Sequence, residues 1–247
     1  MTTPNLYLVG GTVRDILLGR TIGKDIDIAV EASSYQEMKD YVLSRGFVIW
    51  QEREQFGTFR GAMPRACMFE FNIPIPESKR DVVDVDFTLC RTECGYADHR
   101  HPTSVSPGTI YDDLKRRDFT VNAVAMGQKG ILIDPHDGFR DAGRKILKCV
   151  GNPWERLDED ALRILRALRF MVTHNLEPVT GLIMALTDKN LVASLNLLPL
   201  ERIYGEIEKM FAHDTNRTLQ LFGHYSSIRD ACFSRTKLRL KPTLEAK

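Results

Sequence analysis

No surplus of charge of either sign runs through this sequence: thirty-four Lys and Arg stand against thirty-three Asp and Glu, a net charge of +1. A global basic field of the kind that gathers nucleic acid is excluded, and any basic surface must be local. Cysteine is scarce. The five thiols (Cys67, Cys90, Cys94, Cys149, Cys232) are odd in number and form no CxxC pair. Neither a disulfide framework nor a zinc site is therefore expected, and they read as reduced thiols of an intracellular protein. No apolar run approaches the ~20 residues that cross a bilayer. The polar Met1 to Asn5 leads into a strand-like Leu6-Tyr7-Leu8-Val9 without the basic-then-apolar pattern of a secretory signal, so a cytoplasmic protein without membrane contact is expected. Internal repeats and low-complexity segments are also lacking. What is present, 247 residues of which 43% are hydrophobic and 27% charged, suffices for one large core or two smaller ones.

From Leu6 to about Met126, short β-type runs alternate with turn signals and helical patterns, the texture of an α/β or α+β domain. The strands predicted are Leu6-Val9, Ile26-Val30, Phe47-Trp50, Phe56-Ala62, Cys67-Ile73 and Val82-Cys90, and the helices Gly11-Leu18, Tyr35-Arg45 and Phe119-Ala125. Pro74, Pro76 and the charged Glu77 to Asp81 predict a hairpin-like excursion. Gly95 to Pro107 shows no period and is expected to be a mobile polar loop. After Pro153 the apolar residues of Asp158 to Val172 and Glu201 to Phe211 take helical spacing and β-type runs vanish, which marks a helical domain. From Arg217 onward seven basic residues face two acids, with Arg235, Lys237, Arg239 and Lys241 in alternation: a solvated tail or a local RNA contact.

Two constellations carry chemistry. In Val9-Gly10-Gly11-Thr12-Val13-Arg14-Asp15 a strand enters a helix through two glycines that have no Cβ to obstruct a ligand. The unpaired N–H groups of the helix start and the guanidinium of Arg14 suit a triphosphate, although a lone Gly-Gly would more often be a plain turn. Ten residues after Asp15 comes Lys24-Asp25-Ile26-Asp27-Ile28. On a strand Asp25 and Asp27 project from one face while Ile26 and Ile28 enter the core. Like charges held side by side repel unless a cation sits between them, and hard oxygen donors suit Mg²⁺. Asp25 and Asp27 are thus the metal ligands and catalytic carboxylates of a two-metal phosphoryl transfer, against the commoner alternative of a solvated strand edge. A third carboxylate is expected from Val83-Asp84-Val85-Asp86, with Asp86 preferred over Asp84.

The run GGTVRDILLGR followed by KDIDIAV resembles the first motif of the class II tRNA nucleotidyltransferase and bacterial poly(A) polymerase family, a branch of the polymerase-β-like nucleotidyltransferases. Further matches follow in the family's order. DVDFTLCRTECGYADHRHP resembles the strand and flexible loop of CCA-adding members, and YDDLKRRDFTVNAVA the second motif. ILIDPHDGFRDAGRKILKCVG resembles the third motif, with Asp134, Gly138 and Asp141 at its fixed points, and ERLDEDALRILRALRF the fourth. The resemblance implies an α+β fold: a polymerase-β-like head with a mixed sheet over 1–150, an all-helical neck over 151–212 and a short basic segment over 213–247.

It implies further that Arg116, Arg117, Asp118 and Asn122 bind the incoming nucleotide and its ribose, where Asp118 would otherwise be read as a helix N-cap. Asp160 and Arg163, of the EDxxR pattern, lie three apart and would ordinarily be an i,i+3 surface salt bridge. A carboxylate that accepts beside a guanidinium that donates also matches the amino-plus-ring-nitrogen edge shared by cytosine and adenine, and rejects uracil and guanine. The family is thought to select C and A this way. Arg166 and Arg169 continue the face toward phosphates.

The implied activity is template-independent addition of CMP and AMP from CTP and ATP to the 3′ end of tRNA, with Mg²⁺ as cofactor. Poly(A) synthesis and CC-only or A-only addition are the near alternatives, favoured less by the ADHRHP stretch (Asp98, Arg100, His101). A catalytically inactive RNA-binding module and a tRNA-modifying toxin are the distant ones. The chain is shorter than known members, which carry helical body and tail domains that grip tRNA. The readings for that grip are the basic C-terminus, another RNA, or a partner protein or homo-oligomer.

Overall fold

The computed structural model describes residues 3–23, 26–72, 81–96 and 102–234 of the chain. Two compact units are present, one gathering the chain up to Gly95 with Thr103–Gly143, the other Tyr96–Pro102 with the chain from Arg144 onward. The first unit is built on β1 (Asn5–Leu8), α1 (Gly10–Leu17), β2 (Ile26–Glu31), α2 (Tyr35–Ser44), β3 (Val48–Arg53), β4 (Thr58–Pro64), α3 (Arg65–Met68) and β5 (Val82–Leu89). After these come β6 (Arg91–Tyr96), β7 (Pro102–Pro107), α4 (Ile110–Lys115), β8 (Ala125–Met126), β9 (Leu132–Ile133) and α5 (Gly138–Gly143).

Seven strands form one sheet in the order β3-β4-β5-β2-β1-β8-β9. The β2–β5 pair is parallel and its neighbours are antiparallel, so the sheet is mixed as expected. Strand alternation divides it into two faces. Ile26, Ile28 and Val30 of β2 join Val85, Phe87 and Leu89 of β5 and Phe59 of β4 in one core. Val13 of α1 and Met38 and Val42 of α2 close over that core. Phe87 stacks on Phe59 and Phe47, with ring centroids 4.9 and 5.6 Å apart. The opposite face carries Asp27, Asp86, Arg60 and Gln51, which are exposed or half-buried.

Three elements differ from the sequence expectation. Cys67-Ile73 is not a strand: α3 runs into a 3-10 turn at Phe69–Phe71. Alternation would have buried Phe69 with Phe71, but Met68 and Phe71 are buried three apart while Phe69 is 71% exposed, a helical pattern. The helix expected at Phe119-Ala125 is a single 3-10 turn, Thr120–Asn122, followed by β8. The stretch expected as an aperiodic loop, Gly95 to Pro107, contains the paired ends of β6 and β7; its Ser104 to Pro107 are all exposed, so no apolar alternation announced a strand. His99 and its neighbours 97–101, the Pro74 and Pro76 segment, and Arg235 to Lys241 lie outside the described residues.

The second unit contains β10 (Ile146–Leu147), α6 (Pro153–Glu159), α7 (Leu162–Thr173), β11 (Glu177–Pro178), α8 (Thr180–Leu186), α9 (Lys189–Ser194), α10 (Leu200–His213), α11 (Thr215–His224) and α12 (Ser226–Phe233). Among its described residues it is helical apart from the two-residue parallel pair β10–β11, whose second strand lies after Pro153, where no β-type run was expected. Asn152 starts α6 by accepting the amide of Trp154, with Pro153 at the first helical position. Leu165, Leu168 and Val172 of α7 and Ile203, Ile207 and Met210 of α10 are buried at helical spacing on the two helices that pack most closely. Arg169 of α7 is ion-paired to the buried Glu206 of α10, so it ties the two helices together. Among the described residues no helix is long and apolar enough to cross a membrane.

Candidate active site

The turn from β1 into α1 is fixed by Asp27. The amide of Val9 donates to the Asp27 carbonyl (3.1 Å), and the Asp27 amide donates to the Thr12 hydroxyl (3.5 Å). Gly10 has a φ of +64°, a conformation that side chains disfavour. A Cβ there would stand 3.1 Å from Asp27 Oδ2 and 3.2 Å from Arg117 Nη1. The bare backbone of Gly10 is thus what lets a carboxylate and a guanidinium approach the helix start. At Gly11 a Cβ would meet only the guanidinium of Arg14, 3.5 Å away, an ordinary contact.

Register places the two described carboxylates side by side. Asp27 pairs with Asp86 across the parallel β2–β5 ladder, and Asp86 pairs in turn with Arg60 of β4. Arg60 grips Asp86 with two contacts, Nε to Oδ1 at 3.0 Å and Nη2 to Oδ2 at 3.1 Å. Asp25 lies outside the described residues. Asp84, the alternative third carboxylate, is opposite Ala62, two pairs along β5 from Asp86.

Asn122 links the first and second motifs. Its Oδ1 accepts from Arg14 Nη1 (3.1 Å), its Nδ2 donates to Asp118 Oδ1 (2.9 Å), and its carbonyl accepts from Arg117 Nη1 (3.3 Å). Asp118 also accepts the amide of Phe119 at 2.8 Å, so it closes the 3-10 turn where a helix N-cap was expected. Beneath the two arginines sits Asp113, fully buried and unnoticed at the sequence level. One oxygen receives Arg117 through Nε and Nη2 (3.1 and 2.9 Å), and the other receives Arg116. Arg116 is also bound to Glu93 of β6 at 3.1 Å, whose side chain is 6% exposed, so Arg117 is the member of the pair that faces Gly10. Burial alone would raise the Asp113 pKa, but the Arg117 and Arg116 guanidinium groups overcome it and hold the carboxyl below its ordinary value. A carboxyl lowered in the folded state adds stability above its unfolded pKa of ~3.9 that is lost as pH falls through the folded value. Asp113→Asn is expected to cost stability near the lower end of the ~3–5 kcal/mol of a broken buried pair, since both arginines retain some solvent access. It should also flatten the acid limb of the stability curve, which urea unfolding between pH 3 and 7 would record.

The fixed points of the third motif form a scaffold under Asn122. Asp134 accepts the amides of Gly138 (2.7 Å) and Phe139 (2.9 Å) and so starts α5. Asp141, buried in α5, accepts from the Thr120 hydroxyl at 2.7 Å. Gly138 lets α5 lie directly on the Thr120 carbonyl, which a Cβ would meet at 2.0 Å.

In the second unit the expected continuous helix breaks at Asp160, whose φ of −143° and ψ of 103° are extended. The i,i+3 pair with Arg163 therefore does not form. Asp160 accepts the Leu162 amide with Oδ1 (3.1 Å) and pairs through Oδ2 with Arg202 of α10 (3.3 Å). Arg163 Nη1 donates to Glu159 (2.7 Å) and to the Arg156 carbonyl (2.8 Å). Arg166 lies over the Phe170 ring at 5.4 Å.

The family model described as the Poly A polymerase head domain matches residues 6–148. The chain belongs to this family. The CCA-adding enzyme of Streptococcus gordonii is 38% identical over 205 residues, covering 83% of this chain and 45% of that enzyme. The CCA-adding enzyme of Lactobacillus gasseri is 36% identical over 220 residues, covering 87% and 48%. Among solved structures, a tRNA nucleotidyltransferase complexed with a primer tRNA and an incoming ATP analogue superposes with a TM-score of 0.71 at 27% identity, over 96% of this chain and 61% of that one. The Bacillus stearothermophilus CCA-adding enzyme in complex with CTP gives 0.68 at 28%, over 93% and 53%. The chain spans about half the length of the curated relatives it matches. The α+β architecture with a mixed-sheet head and a helical second unit is that of these structures.

Within this poly A polymerase head, Asp27 and Asp86 offer hard oxygen donors in adjacent register, which fits a divalent cation such as Mg²⁺. Among the described residues no three His, Cys, Asp or Glu side chains converge on a metal-sized site, and Asp25 is not among those residues. Asp113, Thr12, Arg60, Thr120 and Arg202 went unread in the sequence. Only Asp113 had a local signal, the i,i+3 and i,i+4 spacing to Arg116 and Arg117.

Proposed function

We propose that this chain transfers CMP and AMP from CTP and ATP to the 3′-hydroxyl of a tRNA, as in CCA addition or repair. The observation that carries this reading is the row in which Asp27 and Asp86 stand side by side next to the open backbone of Gly10. The first unit acts as the transferase head and the second as a base-selecting neck. Asp25, Asp27 and Asp86 hold Mg²⁺, which supplies Lewis-acid neutralisation of the reacting phosphate and a more acidic 3′-hydroxyl. The N–H groups at the start of α1, with Arg14 and Arg117, bind the triphosphate. Asn122 orients Arg14, and Asp113 holds Arg117 toward Gly10. Asp118 and Asn122 take the ribose. The CCA-adding names of the relatives and the CTP and ATP analogue seen in the solved structures support the choice of nucleotides.

Base choice falls to Asp160 and Arg163, with Arg166 beside them on α7. The break before α7 supports this, because it keeps Asp160 out of an i,i+3 helix pair with Arg163 and leaves a carboxylate that accepts N–H donors, here the Leu162 amide and Arg202, as it would accept a base amino group. Asp160→Ala and Arg163→Ala are expected to relax selectivity against UTP and GTP by about 1–3 kcal/mol, the worth of a bidentate base contact. Competition among all four nucleotides on a tRNA ending at the discriminator base measures it. Unchanged preference in both variants returns the residues to a structural role.

The defining experiment incubates the protein and Mg²⁺ with tRNAs ending at the discriminator base, at C and at CC, with each nucleotide alone or in pairs, and sequences the products. CCA ends support the proposal. A-only tails, CC-only ends or modification elsewhere on the tRNA would assign a poly(A) polymerase, a partial adder or a toxin, and no product an RNA-binding module.

A further inference from the structure

On the far side of Asp86 from the Gly10 turn, the open sheet face does not end. Across four strands one row reads Asp27, Asp86, Arg60, Gln51, and in the next pairs outward Thr88, Thr58 and Arg53 lie in register. Gln51, Arg53, Thr58, Arg60, Asp86 and Thr88 line a cavity of about 310 Å³. Its chemistry is two guanidinium groups with hydroxyl and amide donors, and Asp86 is its one acid. Arg53 is exposed at the rim of this cavity, so its guanidinium is open to an incoming anion.

We propose that this groove on β3, β4 and β5 receives the 3′-terminal sugar–phosphate segment of the accepting RNA strand, with Arg53 and Arg60 on its phosphates. The inference rests on the transferase reading and follows from displacement geometry. The attacking oxygen forms its bond to the α-phosphorus on the side opposite the bond to the leaving pyrophosphate, and the 3′-hydroxyl proton leaves to solvent or a carboxylate. Gly10, Arg14 and Arg117 lie beside Asp27 toward β1, so the pyrophosphate departs on that side. The hydroxyl must then enter past Asp86 from β4 and β3, strands spaced ~5 Å apart. Arg60, which grips Asp86 in a half-exposed pair, lies at that entrance. Arg60 holds the same Asp86 oxygens that would hold a cation, so with those oxygens given to the metal its guanidinium would be available to a phosphate. The arrangement thereby offers positive charge where the polyanion arrives and leaves the carboxylate to the metal.

The test compares the parent with Arg53→Ala and Arg53→Glu, at a site outside the catalytic row, by titration of a tRNA ending in CC and of a short single-stranded RNA over a series of salt concentrations. A nucleotide titration and a thermal melt accompany each protein. Loss of one phosphate contact to a single strand should lower the slope of log affinity against log salt by about 0.7. RNA binding is expected to weaken several-fold in Arg53→Ala and further in Arg53→Glu, with nucleotide affinity and melting temperature unchanged. Equal RNA affinity and equal slope, in a parent that incorporates nucleotides, overturns the groove and leaves the transferase reading standing. The predicted slope change in a parent that incorporates none supports the groove and removes the transferase reading.

Discussion

Asp27→Asn is expected to abolish nucleotide incorporation while leaving the head folded. The substitution keeps the shape of the side chain but removes one of two charges that the β2–β5 register sets side by side. Its amide still serves Thr12 and its carbonyl still receives the Val9 amide, because both contacts are made by the backbone. Partners that merely orient a metal ligand typically cost 10–100-fold when lost, so removal of a ligand should exceed about 100-fold. Removing a like charge beside Asp86 also relieves repulsion, so the melting temperature should match or slightly exceed that of the parent. Single-turnover incorporation with saturating Mg²⁺, paired with a thermal melt, checks both halves. Turnover within tenfold of the parent would remove Asp27 from the metal. Asp25→Asn and Asp86→Asn should behave alike in turnover, although Asp86→Asn also weakens the hold on Arg60.

Gly138→Ala should be the most damaging small substitution in the first unit. A Cβ at this position meets the Thr120 carbonyl oxygen at 2.0 Å and Val124 Cγ2 at 2.6 Å. The first is backbone in a buried 3-10 turn that Asp141 holds through the Thr120 hydroxyl, so it cannot rotate away. Overpacking of a core usually costs ~1–3 kcal/mol, and a clash against fixed backbone should reach or pass the upper value. That is a large share of the ~5–15 kcal/mol that holds an ordinary domain together. Urea unfolding of the variant should show the lower midpoint, and surviving protein should bind nucleotide poorly because Asn122 ends the displaced turn. A midpoint equal to that of the parent would mean that α5 can shift without cost.

Much of the head is legible in the sequence because its signals are local. Ile26, Ile28 and Val30 alternate with Asp27 and Ala29, and the strand they predict is present with those three buried and Asp27 half-buried, although Ala29 on the second face is buried as well. The Gly-Gly turn, the helix after it and the alternation around Asp86 follow from the same short-range periodicity. What could not be read depends on contacts distant in the chain. The break at Asp160 is supported by Arg202, 42 residues away, and by no Gly or Pro that would punctuate a helix. The 3-10 turn at Thr120–Asn122 is set by close approach of Gly138 and by the side chain of Asp141, neither of which a helical pattern records. Asp113 was hidden differently: its acidic neighbour Asp112 caps α4 at Thr109, and spacing alone does not tell which of two adjacent aspartates is inside.

The parallel pairing of β2 with β5 has a bearing on how the protein comes to be active at all. The two strands are joined through α2 and the antiparallel β3 and β4, so β3, β4 and β5 are successive strands that pair without a crossover, whereas β2 and β5 meet only when the whole intervening stretch has closed. Pairings between distant segments bear their loop-closure entropy before any contact offsets it and are the slow steps of folding. A nascent or refolding chain should therefore acquire helical signal and a β3–β4–β5 meander first. The juxtaposition of Asp27 with Asp86 follows that meander, so catalytic competence reports long-range closure of the sheet more faithfully than secondary structure does.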